Sequence, residues 1–129
     1  MRLRLERGFT LLELLVVLAL IGLAAGLALP AASRWMDAVK ERGWHQELHA
    51  ALAALPLNAF RQGRELRLDA KDVRALVEDM PSDVALELSA PLTYSARGLA
   101  AAADVRLRDA QGRSSVYRVE AVTGRVLPP

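Results

Sequence analysis

One carboxylate stands in the wrong solvent. From Phe9 to Leu29 the only charged side chain is Glu13, and every residue from Leu14 to Leu29 is apolar or glycine. About 20 apolar residues in a helix cross a hydrocarbon core of about 30 Å. There each backbone N–H and C=O must be satisfied within the segment, which leaves helix as the conformation. An ionised side chain inside such a helix costs about 2.5–3.5 kcal/mol on insertion scales. Glu13 therefore needs a cation, and the apolar run does not contain one.

Two further groups invite a chemical reading. His45 and His49 are spaced i, i+4, so they share a helix face and could share a zinc ion. In the zinc-protease pattern a glutamate directly follows the first histidine. Here Gln46 takes that place, Glu47 comes one residue later, and no third ligand is evident. The pair is expected on a solvated helix face, and a membrane-tethered metalloenzyme is the weaker class of function. Arg106 and Arg108 share the strand face opposite Val105 and Leu107, where phosphates could meet them. No stacking aromatic accompanies them, so a solvated sheet face is expected and nucleic acid is an unlikely partner. There is no phosphate-binding glycine loop, nucleophile triad or acidic calcium cluster, and the 129 residues include no cysteine. No catalytic residue, metal or cofactor is expected.

The elements that position Glu13 follow from the pattern of apolar residues. Beyond Pro30 charges return at Arg34, Asp37, Lys40, Glu41, Arg42 and Glu47, while Leu48, Leu52 and Leu55 keep one face apolar. A single helix from Phe9 to about Leu55 would be roughly 70 Å long at ~1.5 Å per residue. Pro30 cannot donate to the carbonyl of Gly26, so a kink or loosening is expected there. Gly22, Gly26 and Pro30 share a face that another helix could approach closely. Trp35 suits a membrane interface and Trp44 the junction with the following region, although both could simply be packed. Pro56 kinks or ends the helix, with one more turn to Gln62 before Gly63 stops it.

The remaining residues, about seventy, approach the lower limit for an independent core, so they are expected to use the outer half of the helix. Glu65–Asp69 alternates as a strand with Leu66 and Leu68 inward. Asp69 caps a helix expected from Ala70 to Met80, with Val73, Leu76, Val77 and Met80 as its stripe. Val84, Leu86 and Leu88 form a second inward row, Leu92–Ser95 a short third strand, and Ala100–Ala103 a loop. Asp104–Asp109, a turn at Ala110–Arg113 and Ser115–Val122 make a hairpin, followed by a turn at Thr123–Gly124 and Arg125–Leu127. The fold class is α+β: a long N-terminal α-helix, membrane half then amphipathic half, carrying a small antiparallel β-sheet head.

Taken together, Arg7-Gly8-Phe9-Thr10-Leu11-Leu12-Glu13 and the apolar run behind it resemble the N-terminal signal of type IV pilins and type II secretion pseudopilins. That resemblance implies cleavage between Gly8 and Phe9 by a prepilin peptidase, and N-methylation of the new Phe9 amine. It also implies that Glu13 faces the N-terminal ammonium of a neighbouring subunit, which would be the missing cation. Residues 1–8 are then a leader, 9–29 the transmembrane and filament-core helix, 30–62 its amphipathic continuation and 63–129 a β-rich head. Gly98, the hairpin at Gly112, Tyr117-Arg118-Val119 and Thr123-Gly124-Arg125-Val126 resemble the H class of minor pseudopilins, as does Ala28-Leu29-Pro30. Residues 71–80 have no match in that class. The implied partners are the prepilin peptidase, the major and other minor pseudopilins, an inner-membrane assembly platform and membrane lipid. A minor type IV pilin acting in pilus assembly or DNA uptake is the alternative.

Charge placement agrees with an anchored chain. Of 17 Lys and Arg and 15 Asp and Glu, Arg2, Arg4, Arg7 and Glu6 lie in the first eight residues, which leaves the rest balanced. The basic leader is an orientation signal that keeps the N-terminus cytoplasmic and sends the head to the periplasm. An ordinary secretory signal cut near Ala31-Ala32-Ser33, or a plain signal anchor, explains less, because neither calls for an acid at the head of the apolar run.

Overall fold

The computed structural model describes residues 8–129, so the expected leader, Gly8 apart, lies outside the described residues. These residues form two compact units, one ending at Lys40 and the other running from Glu41 to Pro129.

Helix α1, Leu11–Gln62, supplies all regular structure of the first unit and the opening element of the second. Thr10 starts it: its carbonyl accepts from Leu14 N at 3.1 Å, and its hydroxyl accepts from Glu13 N at 3.2 Å. A Thr three residues before a Glu is the sequence form of a capping box, in which the hydroxyl satisfies one of the orphan N–H groups of the first turn. Among the described residues of the first unit no side chain is buried, and Leu11 to Leu29 present their apolar groups all round. The helical assignment runs through Pro30, whose carbonyl accepts from Ser33 Oγ at 3.0 Å.

In the second unit α1 becomes two-faced. Trp44, Leu48, Leu52, Leu55 and Ala59 are buried at alternating steps of three and four, which places them on one stripe. The helix does not end at Pro56. One backbone hydrogen bond is lost there, but burial of Leu55 and Ala59 on either side holds the chain helical. It stops at Gly63, whose φ of 61° no β-branched residue would adopt cheaply, and whose N–H bonds Phe60 O at 3.1 Å.

Six strands follow in two antiparallel sheets. The larger has the order β2 (Ala85–Leu88), β4 (Ala103–Arg108), β5 (Ser114–Val119), β6 (Val126–Leu127), and the smaller pairs β1 (Leu66–Leu68) with β3 (Leu92–Tyr94). Val105 pairs with Leu88 on one side and Tyr117 on the other, which fixes the register that points Ala103, Val105 and Leu107 inward with Tyr117 and Val119. Thus β3 leaves the main sheet. Ala100 bridges both Tyr94 and Val122, so the stretch expected to be a loop ties the small sheet to the turn after β5.

The α1 stripe packs on these inward rows with Val73, Val77, Leu92 and Tyr94 in a single cluster. Full burial of each such aliphatic side chain contributes about 1.5–3 kcal/mol. Gly124 lies inside this packing: its φ is 66°, and a Cβ there would come within 2.5 Å of Pro56 Cγ.

Helix α2 is shorter than its apolar stripe implies. It spans Ala70–Arg74, capped as expected by Asp69, whose Oδ1 accepts from Lys71 N and Asp72 N while Asp72 Oδ2 accepts from Asp69 N. The backbone N–H of Asp72, aided by the other cap bonds, holds the Asp69 carboxyl below its ordinary range. After Ala75 the bonds shift to i→i+3, and Arg74 donates to Val84 O at 2.7 Å and Pro81 O at 2.6 Å. Those two bonds fold residues 75–84 back on α2, so Val77 and Met80 are buried without a longer helix.

Candidate functional site

The candidate site is the N-terminal turn of α1. Gly8 and Phe9 precede the helix and are exposed, so the expected scissile bond lies outside regular secondary structure. Glu13 sits in the first helical turn, where the unpaired N–H groups and the helix dipole favour negative charge. Its backbone N–H is held by Thr10, and no ion pair to its carboxylate occurs among the described residues. The capping role of Thr10 is a residue function that the charge reading of Glu13 does not supply; its signal is the Thr10-Leu11-Leu12-Glu13 spacing, which makes Glu13 the N3 residue of a cap.

Around Glu13 the surface is apolar. Phe9 is 83 % exposed and Leu11 88 %. The α1 window that is apolar and long enough to cross a membrane has no residue buried within the protein. The core helix of a soluble domain would have such a stretch covered, so this one requires a bilayer or other helices as its solvent. Among the described residues this is the single helix of that kind, and it is consistent with one membrane-anchoring segment near the N-terminus.

The second set of candidates, the histidines, is not on a solvated face. His45 Nδ1 lies 2.6 Å from Tyr117 OH, and its ring stacks on Trp44 at 3.7 Å. His49 Nε2 lies 3.3 Å from Val126 O and donates to it. Both rings are half-buried at the seam between α1 and the main sheet, and each meets a protein partner 72 or 77 residues away. Burial pushes the His45 imidazole below its ordinary 6.5, against an opposing pull from Glu41. Burial likewise raises the Tyr117 phenol. Trp44 is core, while Trp35 is exposed. Beside this seam Arg113 bonds Asp109 within the β4–β5 turn and reaches Glu41 of α1 at 3.2 Å. Among the described residues, no three His, Asp or Glu side chains gather as a metal site.

The arginine face is outward as expected. Asp104 takes Arg118 at 3.4 Å and Arg106 at 3.9 Å, and Glu87 is the cross-strand neighbour of Arg106. These pairs are exposed and individually worth little, about 0–1 kcal/mol.

Residues 3–29 match the family model described as the prokaryotic N-terminal methylation motif. The chain carries a prepilin-type signal. That motif is typical of type IV pilin and pseudopilin signal sequences, and it spans Gly8, Phe9, Glu13 and the apolar run up to Leu29. No curated protein and no solved structure matches the chain. A long apolar helix followed by a small antiparallel sheet is consistent with the pilin fold. The prepilin signal implies processing by a prepilin peptidase and assembly with other pilin-like subunits.

Proposed function

We propose that this chain is a minor pseudopilin of a type II protein secretion system, of the H class, working in the periplasmic pseudopilus at or near its tip. The observation that carries the reading is the lone Glu13 in the first turn of an uncovered apolar helix, inside a methylation motif. Prepilin peptidase cuts between Gly8 and Phe9 and methylates the Phe9 amine. The ammonium of an adjacent subunit then neutralises Glu13, which sets the stagger between neighbours. Phe9 to Leu29 packs in the filament core, with a kink at Pro30, where one backbone hydrogen bond is missing. The N-terminus is cytoplasmic and the head, with the outer part of α1, periplasmic. Its partners there are the major and other minor pseudopilins and the inner-membrane assembly platform, and its work is mechanical, with no catalysis of its own.

Mass spectrometry of the chain from its native membrane tests this. The expected mass begins at Phe9 with one added methyl group. An intact leader, or a chain beginning at Arg34 after an ordinary signal cut, overturns it. The alternative of a minor type IV pilin that takes up DNA draws its support from the outward arginines. Binding of DNA by the chain that weakens steeply with salt would favour that reading instead.

A further inference from the structure

At the Glu41 end of the seam between α1 and the main sheet lies a cleft of about 120 Å³. Its floor is apolar: Trp44, Val84 and Leu107, all buried. Ser115 is the cross-strand partner of Leu107, so it shares the inward face and joins the wall of the cleft beside the His45 ring. Glu41, Asp109 and Arg113 form the rim. A concave site with an apolar floor and a few convergent polar groups is the usual form of a small-ligand site.

The rim is one positive charge short. Arg113 donates through Nε to Asp109 and through Nη2 to Glu41 Oε1 at 3.2 Å, so one guanidinium serves two carboxylates. Burial lowers the His45 pKa, so at neutral pH the imidazole adds no second cation. Three acceptors stay open. The Glu41 side chain is 46 % exposed, and its Oε2 has no partner among the described residues. The Ser115 hydroxyl has none there either. At His45, Nδ1 lies 2.6 Å from the Tyr117 hydroxyl, which donates to the His45 carbonyl at 3.5 Å. That pattern puts the imidazole hydrogen on Nδ1 and leaves Nε2 with a lone pair.

We infer that this cleft binds a primary alkylammonium group, such as a lysine side chain or a free alkylamine carries. The ammonium brings three N–H donors to three acceptors, Glu41 Oε2, His45 Nε2 and Ser115 Oγ. Its charge completes the rim, while Arg113 keeps Asp109. Its methylenes cover the floor of Trp44, Val84 and Leu107, as the stem of a lysine covers apolar surface elsewhere. An inorganic cation would leave that floor wet, and an anion would meet Glu41 with like charge.

Titration of n-butylammonium chloride into the full chain in uncharged detergent tests the site. The Trp44 indole N–H resonance is expected to move and saturate, while that of Trp35, outside the cleft, stays still. Glu41→Gln keeps the shape of the side chain and should weaken binding about tenfold or more, the loss of one charge-assisted hydrogen bond. Arg113→Gln removes the competing cation and should tighten binding several-fold, a change that misfolding does not produce. A second arm with Nα-acetyl-lysine methylamide separates the sources. Binding like that of n-butylammonium assigns the cleft to lysine side chains, and binding of n-butylammonium alone assigns it to free amines. No saturation with n-butylammonium overturns the proposal. So does equal saturation with n-butanol, which carries no charge, or with ammonium chloride, which carries no methylenes. Equal weakening by Glu41→Gln and Arg113→Gln overturns it as well.

Discussion

The two units treat the same residue types in opposite ways. From Gly8 to Lys40, leucine and valine are exposed on every side of the helix; from Glu41 on, Leu48, Leu52 and Leu55 of α1 are inside, while its charges and Leu57 are outside. The difference is one of solvent. An apolar side chain in water gains by being covered, whereas beside lipid it gains nothing from the protein's own interior. A helix that passes from one regime to the other must change its pattern, and this one does so after Pro30, where charges reappear.

Substitutions on either side should therefore fail differently. The largest effect is expected for Glu13→Leu, which leaves the head intact and the leader cleaved but removes the chain from the filament fraction. Normal incorporation of that variant in sheared-filament preparations would remove the ammonium–carboxylate pairing. Leu52→Ala is next. It should destabilise the second unit by about 2–5 kcal/mol as a buried large-to-small change, whereas Leu23→Ala should leave head unfolding unchanged. Denaturant titration of the full chain in detergent, followed by the fluorescence of the buried Trp44, checks both. Gly124→Ala should cost more than about 1 kcal/mol, because a left-handed φ and the Pro56 ring both oppose a Cβ.

Smaller effects probe the polar atoms in the core. Tyr94 is fully buried, its hydroxyl has no hydrogen-bond partner, and burial pushes its pKa up to about 12. An unsatisfied buried group costs about 1–3 kcal/mol, so Tyr94→Phe should leave stability unchanged or raise it by about 1 kcal/mol in the same titration. The smallest effect is a pH slope. The folded His45 binds its proton below 6.5 and the unfolded chain near 6.5, so stability is complete above 6.5 and declines as pH falls towards the folded value. His45→Gln should flatten that slope in unfolding curves taken on either side of 6.5.

What could be read from the sequence was what neighbours along the chain decide. Leu86 and Leu88, or Val105 and Leu107, alternate with polar residues, so the strands and their inward faces were plain. Asp69 announced its own cap. The residues that misled were those whose partners lie far away in sequence. Leu92-Thr93-Tyr94 reads as a strand, but nothing in it says that it pairs with Leu66–Leu68 and not with the main sheet. Val73, Leu76, Val77 and Met80 have helical spacing, yet the guanidinium of Arg74 folds the chain back after one and a half turns, a contact that periodicity does not encode. His45 and His49 look solvated until Tyr117 and Val126 arrive from the far end of the chain. The candidate site is the opposite case: Gly8, Phe9 and Glu13 lie within six residues of one another, and the methylation motif spans them as a local signal.

The hydroxyl of Thr10 closes the first turn of α1 one residue after Phe9. If the bond before Phe9 is severed as proposed, the helix keeps both Thr10 bonds that begin it. Maturation then creates a positive end one residue ahead of a helix start that is already closed, with the acid of the first turn on a backbone Thr10 has fixed.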